Sequence, residues 1–239
     1  MNKFRFTLPA ILMIVGIILA MAGYDDAMLL MKGKTIDFNT AEQIDLEEKA
    51  MIEGNVEFVL GPFATLEETT KSRYGITTNK TETNFYIVGN FSYEEYEEWY
   101  NGGEGFDAFY TVLTVADQSK RFAFDSASSK WNAFFEGLAE YEAGTAPGIP
   151  VVPQVSVDFK GKLADDVTDP EYVEIRDETM KNLGLSGGEM TGLRIVYGEL
   201  TTTSYVVFFG GIALALIGLV SLVISLFKAY RAKKDSELY

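Results

Sequence analysis

Two long apolar runs bracket a middle in which apolar and polar positions alternate at short periods. The longer, Tyr205 to Phe227, is 23 residues without a charge, followed at once by Lys228, Arg231, Lys233 and Lys234. A bilayer core of roughly 30 Å needs about 20 apolar residues as helix, so residues 205–227 predict a transmembrane span. A soluble core helix rarely runs this long without a polar face. At the other end, MNKFRF leads into LPAILMIVGIILAMAGY, and apolar character resumes after Asp25–Asp26 as far as Met31. A helix over residues 6–31 is about 39 Å long, enough for a tilted span. The competing reading is a cleavable secretory signal, with its apolar run from Leu8 to Leu19 and small residues at Ala20 and Ala22. The resumed apolar run favours an uncleaved first span.

Basic residues flank both runs on their terminal sides: Lys3 and Arg5 before the first, the Lys228–Lys234 group after the second. The positive-inside rule then predicts cytoplasmic termini at residues 1–5 and 228–239, with residues 32–204 on the outer side. Lys32 and Lys34 act against that bias, but two spans with two basic ends make it the consistent solution.

Within residues 32–204 the periods change repeatedly. Val56, Phe58 and Leu60 alternate as in a half-buried strand that ends at Gly61-Pro62. Glu67 to Thr83 is polar and predicts either an extended strand pair, with Tyr74 and Ile76 on one face, or a mobile loop. Asn84–Phe91 and Asp107–Val115 have strand composition. Between them Tyr93, Tyr96 and Tyr100 recur at helical spacing with glutamates opposite. Asp117–Lys120 predicts a hairpin loop into a returning strand, Arg121–Phe124, with Phe122 and Phe124 inward. Ser128 to Tyr141 is the clearest soluble helix, with Trp131, Phe134, Phe135, Leu138 and Tyr141 as its apolar stripe and Gly144 as its stop. Thr145–Pro153 carries three prolines and predicts a rigid extended loop. Val155, Val157 and Phe159 start a strand ending near Leu163, and Asp169-Pro170 opens a helix with Tyr172, Ile175, Met180 and Leu183 inward. Leu193–Tyr197 is a last strand before the second span. The expected fold class is α+β: one extracytoplasmic domain, 32–204, with a mainly antiparallel sheet or a small barrel and two or three helices. Both of its ends lead into spans.

Composition narrows the chemistry. The chain of 239 residues has no cysteine and no histidine, which excludes disulfides, thiolate metal sites and histidine-dependent triads. The formal net charge is −15; between Lys32 and Ser204 there are 31 acidic and 14 basic residues, a balance of −17. Such a domain repels phosphate backbones, so nucleic acid is not an expected partner. No phosphate loop, dinucleotide fingerprint or cofactor motif is present, and no cofactor is expected. Carboxylate pairs suit a glycosidase, but no pair stands out among so many acids. Ser126, Ser128 and Ser129 near Lys130 read as helix capping and not as a serine–lysine hydrolase.

Three sets of residues are candidates for something more. Tyr93, Tyr96, Trp99 and Tyr100, interleaved with Glu94, Glu95, Glu97 and Glu98, form an acidic aromatic patch suited to a basic peptide or a sugar ring; the alternative is core aromatics with solvated glutamates. Asp165, Asp166 and Asp169 offer oxygens for a weak calcium site, though aspartates at a helix start are more simply caps. Gly211, Ala215 and Gly218 make a small-residue stripe in the second span, for packing on the first span or on a second copy of the chain. Asn79 and Asn90 head N-x-S/T triplets, relevant only in a host that glycosylates.

The unit from Val155-Ser-Val-Asp-Phe-Lys-Gly-Lys-Leu163 through Leu183, then Leu193–Tyr197 running into the span, resembles bacterial two-pass membrane proteins with an outer α+β domain and a basic tail. Such families have no assigned activity, so the resemblance implies an architecture and supplies no site. The functional expectation is a non-enzymatic, membrane-anchored protein whose acidic domain binds a membrane or envelope partner. A carboxylate-dependent envelope hydrolase and an accessory or sensor subunit are the alternatives.

Overall fold

A computed structural model of the chain describes residues 4–32, 35–71, 77–182, 190–198 and 202–236. In chain order the elements are α1 (Phe4–Lys32), β1 (Thr35–Asp37), a 3-10 turn (Gln43–Asp45), β2 (Met51–Val56), β3 (Phe58–Lys71), β4 (Thr77–Gly89) and α2 (Tyr93–Tyr100). They continue with β5 (Tyr110–Val115), α3 (Gln118–Glu142), β6 (Val157–Asp165), α4 (Pro170–Asn182), β7 (Met190–Tyr197) and α5 (Thr202–Ser236). The chain divides into two compact units, the terminal helices and the α+β unit of residues 34–199.

The two terminal helices pack antiparallel. Gly16 lies against Gly211 and Ala215, Gly218 against Pro9 and Met13, and the rings of Tyr24 and Phe208 meet edge-on at 5.9 Å. A Cβ on Gly16, Gly211 or Gly218 would fall on partner backbone, so glycine is what lets the two axes come this close. The stripe expected at Gly211, Ala215 and Gly218 therefore packs on the first helix. Phe6–Met31 and Tyr205–Arg231 are both long and apolar enough to cross a membrane. Only 11% of each apolar window is buried, which does not suit a soluble core helix.

The α+β unit is built on a seven-stranded sheet in the order β1-β2-β6-β7-β5-β4-β3. It is mixed and not simply antiparallel: β1 pairs parallel with β2 and β5 parallel with β7. The β5–β7 pair is parallel because the chain leaves β5 through α3 and returns by way of β6 and α4. The sheet is also open. Strands β1 and β3 stand at its two edges and do not pair with each other, so the barrel alternative is not realised among the described residues.

Several local expectations change, among them Ile175 of α4, which is exposed where it is expected inward. Residues 121–124 are helix, inside α3, where a returning strand is expected. Phe122 and Phe124 do alternate, but the stronger period is Phe124, Ala127, Ser128, Trp131 and Phe134, all buried on one face, and Phe122 is 79% exposed. Asp117 caps the helix start by accepting from the Ser119 backbone N–H at 2.8 Å. The stripe also stops earlier than expected, because Tyr141 is exposed. Of residues 67–83, left open between strand pair and loop, 67–71 and 77–83 are strand, and 66–71 pairs with 77–83 at the far end of the β3–β4 ladder, beyond the reach of β5. Tyr74 and Ile76 lie outside the described residues, as does Leu183.

The main core lies where α2 and α3 meet the sheet. Trp131 is fully buried, with its ring centroid 4.7 Å from Phe58, 5.0 Å from Tyr96 and 5.7 Å from Phe134. Its indole N–H donates to the Glu57 carbonyl at 2.7 Å, so the polar handle of the ring is satisfied without water. On the other side of the sheet a smaller cluster forms where Tyr172 of α4 covers Phe85 and Val112. Trp131→Ala is expected to cost about 3–5 kcal/mol, since it leaves a cavity and an orphaned Glu57 carbonyl. Chemical denaturation of the full chain in detergent measures this, and a loss below about 1 kcal/mol contradicts the packing described.

Candidate functional site

The α2 aromatics do not form a surface patch. Ser92 caps the helix in a reciprocal box with Glu95: the Glu95 N–H donates to Ser92 Oγ at 3.2 Å and the Ser92 N–H to Glu95 Oε2 at 2.8 Å. This fixes the helix rotation and sends Tyr96 inward, where it is 7% exposed and packs on Phe91, Trp131 and Phe134. Tyr93 and Tyr100 are half-buried, and Trp99 alone of the four is well exposed, at 48%. Burial, then the neighbouring Tyr100, pushes the Tyr96 phenol up to about 12.

The acidic run before α4 is a hydrogen-bonded knot. Asp166 Oδ1 accepts from the Val167 N–H and the Tyr172 hydroxyl, both at 2.8 Å, while Oδ2 takes Arg176 at 2.6 Å. Asp169 accepts from the N–H groups of Glu171 and Tyr172 and so caps α4, and Asp165 is exposed at the end of β6. No group of three acidic side chains placed to share a metal ion occurs among the described residues. Burial and the hydrogen bond to Asp166 hold the Tyr172 phenol far above its usual range. Burial works against the Arg176 charge, but Asp177 and Asp166 outweigh it and raise the guanidinium.

The more suggestive feature is a recess of about 600 Å³ at the β1–β2 edge of the sheet. Asn39 builds one wall by continuing the strand ladder with its side chain: Nδ2 donates to the Asn55 carbonyl and Oδ1 accepts from the Asn55 N–H, both at 2.8 Å. A Cβ on Gly54 would collide with Asn39 and crowd Phe38 Cβ at 3.0 Å, so glycine keeps that wall in place. Asp37, Glu53, Glu57 and Ser92 complete the lining. Glu53 is paired with Lys160 at 2.6 Å. Glu57 Oε2 takes the Tyr93 N–H at 2.7 Å and Asp37 Oδ1 the Asn39 N–H at 3.1 Å. Asp37 Oδ2 and Glu57 Oε1 have no donor among the described residues, and Asn55 Oδ1 is buried with none. The recess therefore presents oxygen acceptors in excess of its donors. It suits a group with several N–H donors and a positive charge.

Sequence reasoning missed this recess, because its residues come from three separate stretches, 35–39, 53–57 and Ser92, and no one of them carries a motif. Of the two N-x-S/T asparagines, Asn90 is occupied: Nδ2 donates to the Ala41 carbonyl at 3.1 Å and Oδ1 takes the Phe109 N–H at 2.7 Å. The side chain of Asn79 lies outside the described residues. Comparison with known proteins adds no assignment: no protein-family model matches the chain, and no curated protein does.

Two outcomes follow from these geometries. Asp166→Ala is expected to cost about 2–4 kcal/mol in a denaturation midpoint experiment, because Arg176 and Tyr172 lose a largely buried partner. Tyr96 gives the fold an alkaline limit. Its folded pKa is raised, so the stabilisation is whole below about pH 10 and is lost as pH climbs toward about 12. In melting curves across that window Tyr96→Phe should lose less stability than the native chain; parallel losses would place Tyr96 in water.

Proposed function

We propose that the chain is a two-span membrane protein with both termini cytoplasmic, whose acidic α+β domain lies outside and docks a cationic segment of a membrane or envelope partner. The antiparallel terminal helices support a hairpin topology, since they bring the two basic chain ends to one side. The basic ends support the cytoplasmic assignment by the positive-inside rule.

The observation that carries the binding function is the β1–β2 recess, with its excess of acceptors inside a domain of charge −17. A lysine ammonium or arginine guanidinium supplies the missing donors, and the field of the domain concentrates cations around it. The adjoining glutamates of α2 extend the same charge from Ser92 outward. Glycan hydrolysis fits the recess less well. Glu53 is committed to Lys160 and Glu57 to a backbone N–H, so neither stands ready to hold the proton that a general acid must deliver.

The test is titration of a fluorescent hexa-lysine peptide against the full-length protein in neutral detergent. Asp37→Asn with Glu57→Gln keeps the shapes and removes two charges from the recess. At about 0.7 kcal/mol per charge this should weaken binding about tenfold. A control pair on the α3 end, Glu140→Gln with Glu142→Gln, should change it little. Equal weakening by both pairs would reduce the recess to part of a diffuse acidic field, and an absence of peptide binding would remove the reading.

A further inference from the structure

We propose that the sheet carries a second ligand site, a pocket built on Arg194 that takes a small carboxylate with a short apolar body. Arg194 sits in β7, held on both sides by ladder pairs, Val112 of β5 and Ala164 of β6. Paired residues share a face, so its side chain rises beside Val112, on the face opposite the Ile195 core. The position is fixed by the centre of the sheet and not by a loop.

What sets Arg194 apart is the lack of a partner. Among the described residues of the α+β unit there are three arginines. Arg121 reaches Glu82 at 3.2 Å, and Arg176 reaches both Asp166 and Asp177. The Arg194 side chain makes no ion pair or hydrogen bond among the described residues, and its Nε is buried without an acceptor. In a domain with 31 acids to 14 bases, a half-buried guanidinium without a carboxylate is the unexpected arrangement. The nearest acidic knot does not serve it, since both oxygens of Asp166 are already taken by Tyr172, Val167 and Arg176.

Arg194 lines a recess of about 210 Å³. Leu66, Phe85 and Val196 supply apolar wall, and Thr83 and Thr114 the hydroxyls. Thr114 donates to the Ile195 carbonyl at 3.2 Å, whereas the Thr83 hydroxyl makes no hydrogen bond among the described residues and is free to donate. A planar guanidinium matches the two oxygens of a carboxylate, and one guanidinium matches one negative charge. The volume holds about seven water-sized atoms, which is a carboxyl group with about four further carbons. The apolar walls select against a bare inorganic anion. This site takes the opposite charge from the β1–β2 recess and stands independently of it.

The test is calorimetric titration of the full-length protein in detergent with valerate, its neutral isostere valeramide, and inorganic phosphate. Valerate should bind with a Kd on the order of 1 mM, as expected for seven atoms, and at least tenfold more tightly than the other two. A short peptide with a free C-terminal leucine, compared with its amidated form, distinguishes a free acid from a chain terminus as the source of the carboxylate. Arg194→Met should abolish valerate binding without lowering the melting temperature of the unliganded protein, because no ion pair is lost. Thr83→Val should weaken binding several-fold while leaving the fold intact, and it keeps the test open if Arg194→Met does not fold. Valerate binding no tighter than valeramide, or unchanged in Arg194→Met, overturns the proposal. So does a melting temperature in Arg194→Met that falls as it would on losing an ion pair, with valerate binding absent in the native chain.

Discussion

The hydrogen bond from the Trp131 indole to the Glu57 carbonyl, inside a close cluster of rings, is the contact on which the α+β unit turns. It anchors α3 to the start of the long edge strand β3. The same residue, Glu57, uses its side chain to hold the first N–H of α2, so one backbone position ties two helices to one strand. Tyr96 and Phe134 then close the cluster from the two helices. A ring of this size buries more apolar surface than any other side chain, and its one polar atom needs a partner in a dry place. Glu57 provides that partner and also lines the acidic recess. The wall of the recess is thus fixed by the core behind it, which is the condition for a preformed binding surface.

Much of this was readable from the pattern of the chain. The two apolar runs, strands β5, β6 and β7, and the Pro170 helix start all stand close to where period and capping put them. The failures have a common physical origin. Phe122 and Phe124 mimic a strand over four residues, and only the longer count through Trp131 and Phe134 shows the helical period. Sheet order is invisible locally, so the parallel β5–β7 pairing, which rests on contacts about 80 residues apart, could not be told from an antiparallel meander. The spacing of Tyr93, Tyr96 and Tyr100 correctly implied one face of a helix, but spacing does not say whether that face meets solvent or a tryptophan. The aspartates at 165–169 were legible as a helix cap, while the long-range role of Asp166 depends on Arg176 and Tyr172 folding back over it.

The terminal helices show the same division. Small residues at Gly211, Ala215 and Gly218 mark a packing face within one helix, and that much is local. The face that receives them, Gly16 with Pro9, Met13 and Ala20, lies some 200 residues away in sequence and carries no distinctive motif of its own. Between apolar helices in an apolar solvent, burial gives little net drive, so close backbone contact has to supply the attraction. Glycine at the contact points is the means, and most of each helix remains outwardly apolar, as a helix long and apolar enough to cross a membrane can be.

The two recesses of the α+β unit draw on different ranges of one force. A cation approaching the β1–β2 recess is drawn by the whole domain, whose charge of −17 acts over a Debye length of about 8 Å at physiological salt. A carboxylate approaching Arg194 meets that same field as a barrier and gains only at contact, where the guanidinium is partly removed from water and its attraction is least screened. Added salt weakens the first effect and lowers the barrier in the second, while contact at a half-buried guanidinium is screened far less. Long-range charge therefore favours a cation over a carboxylate, and local geometry has to do all the selecting at Arg194. That is why a pocket with a planar fork, a free hydroxyl and apolar walls is the arrangement such a site requires in so acidic a domain.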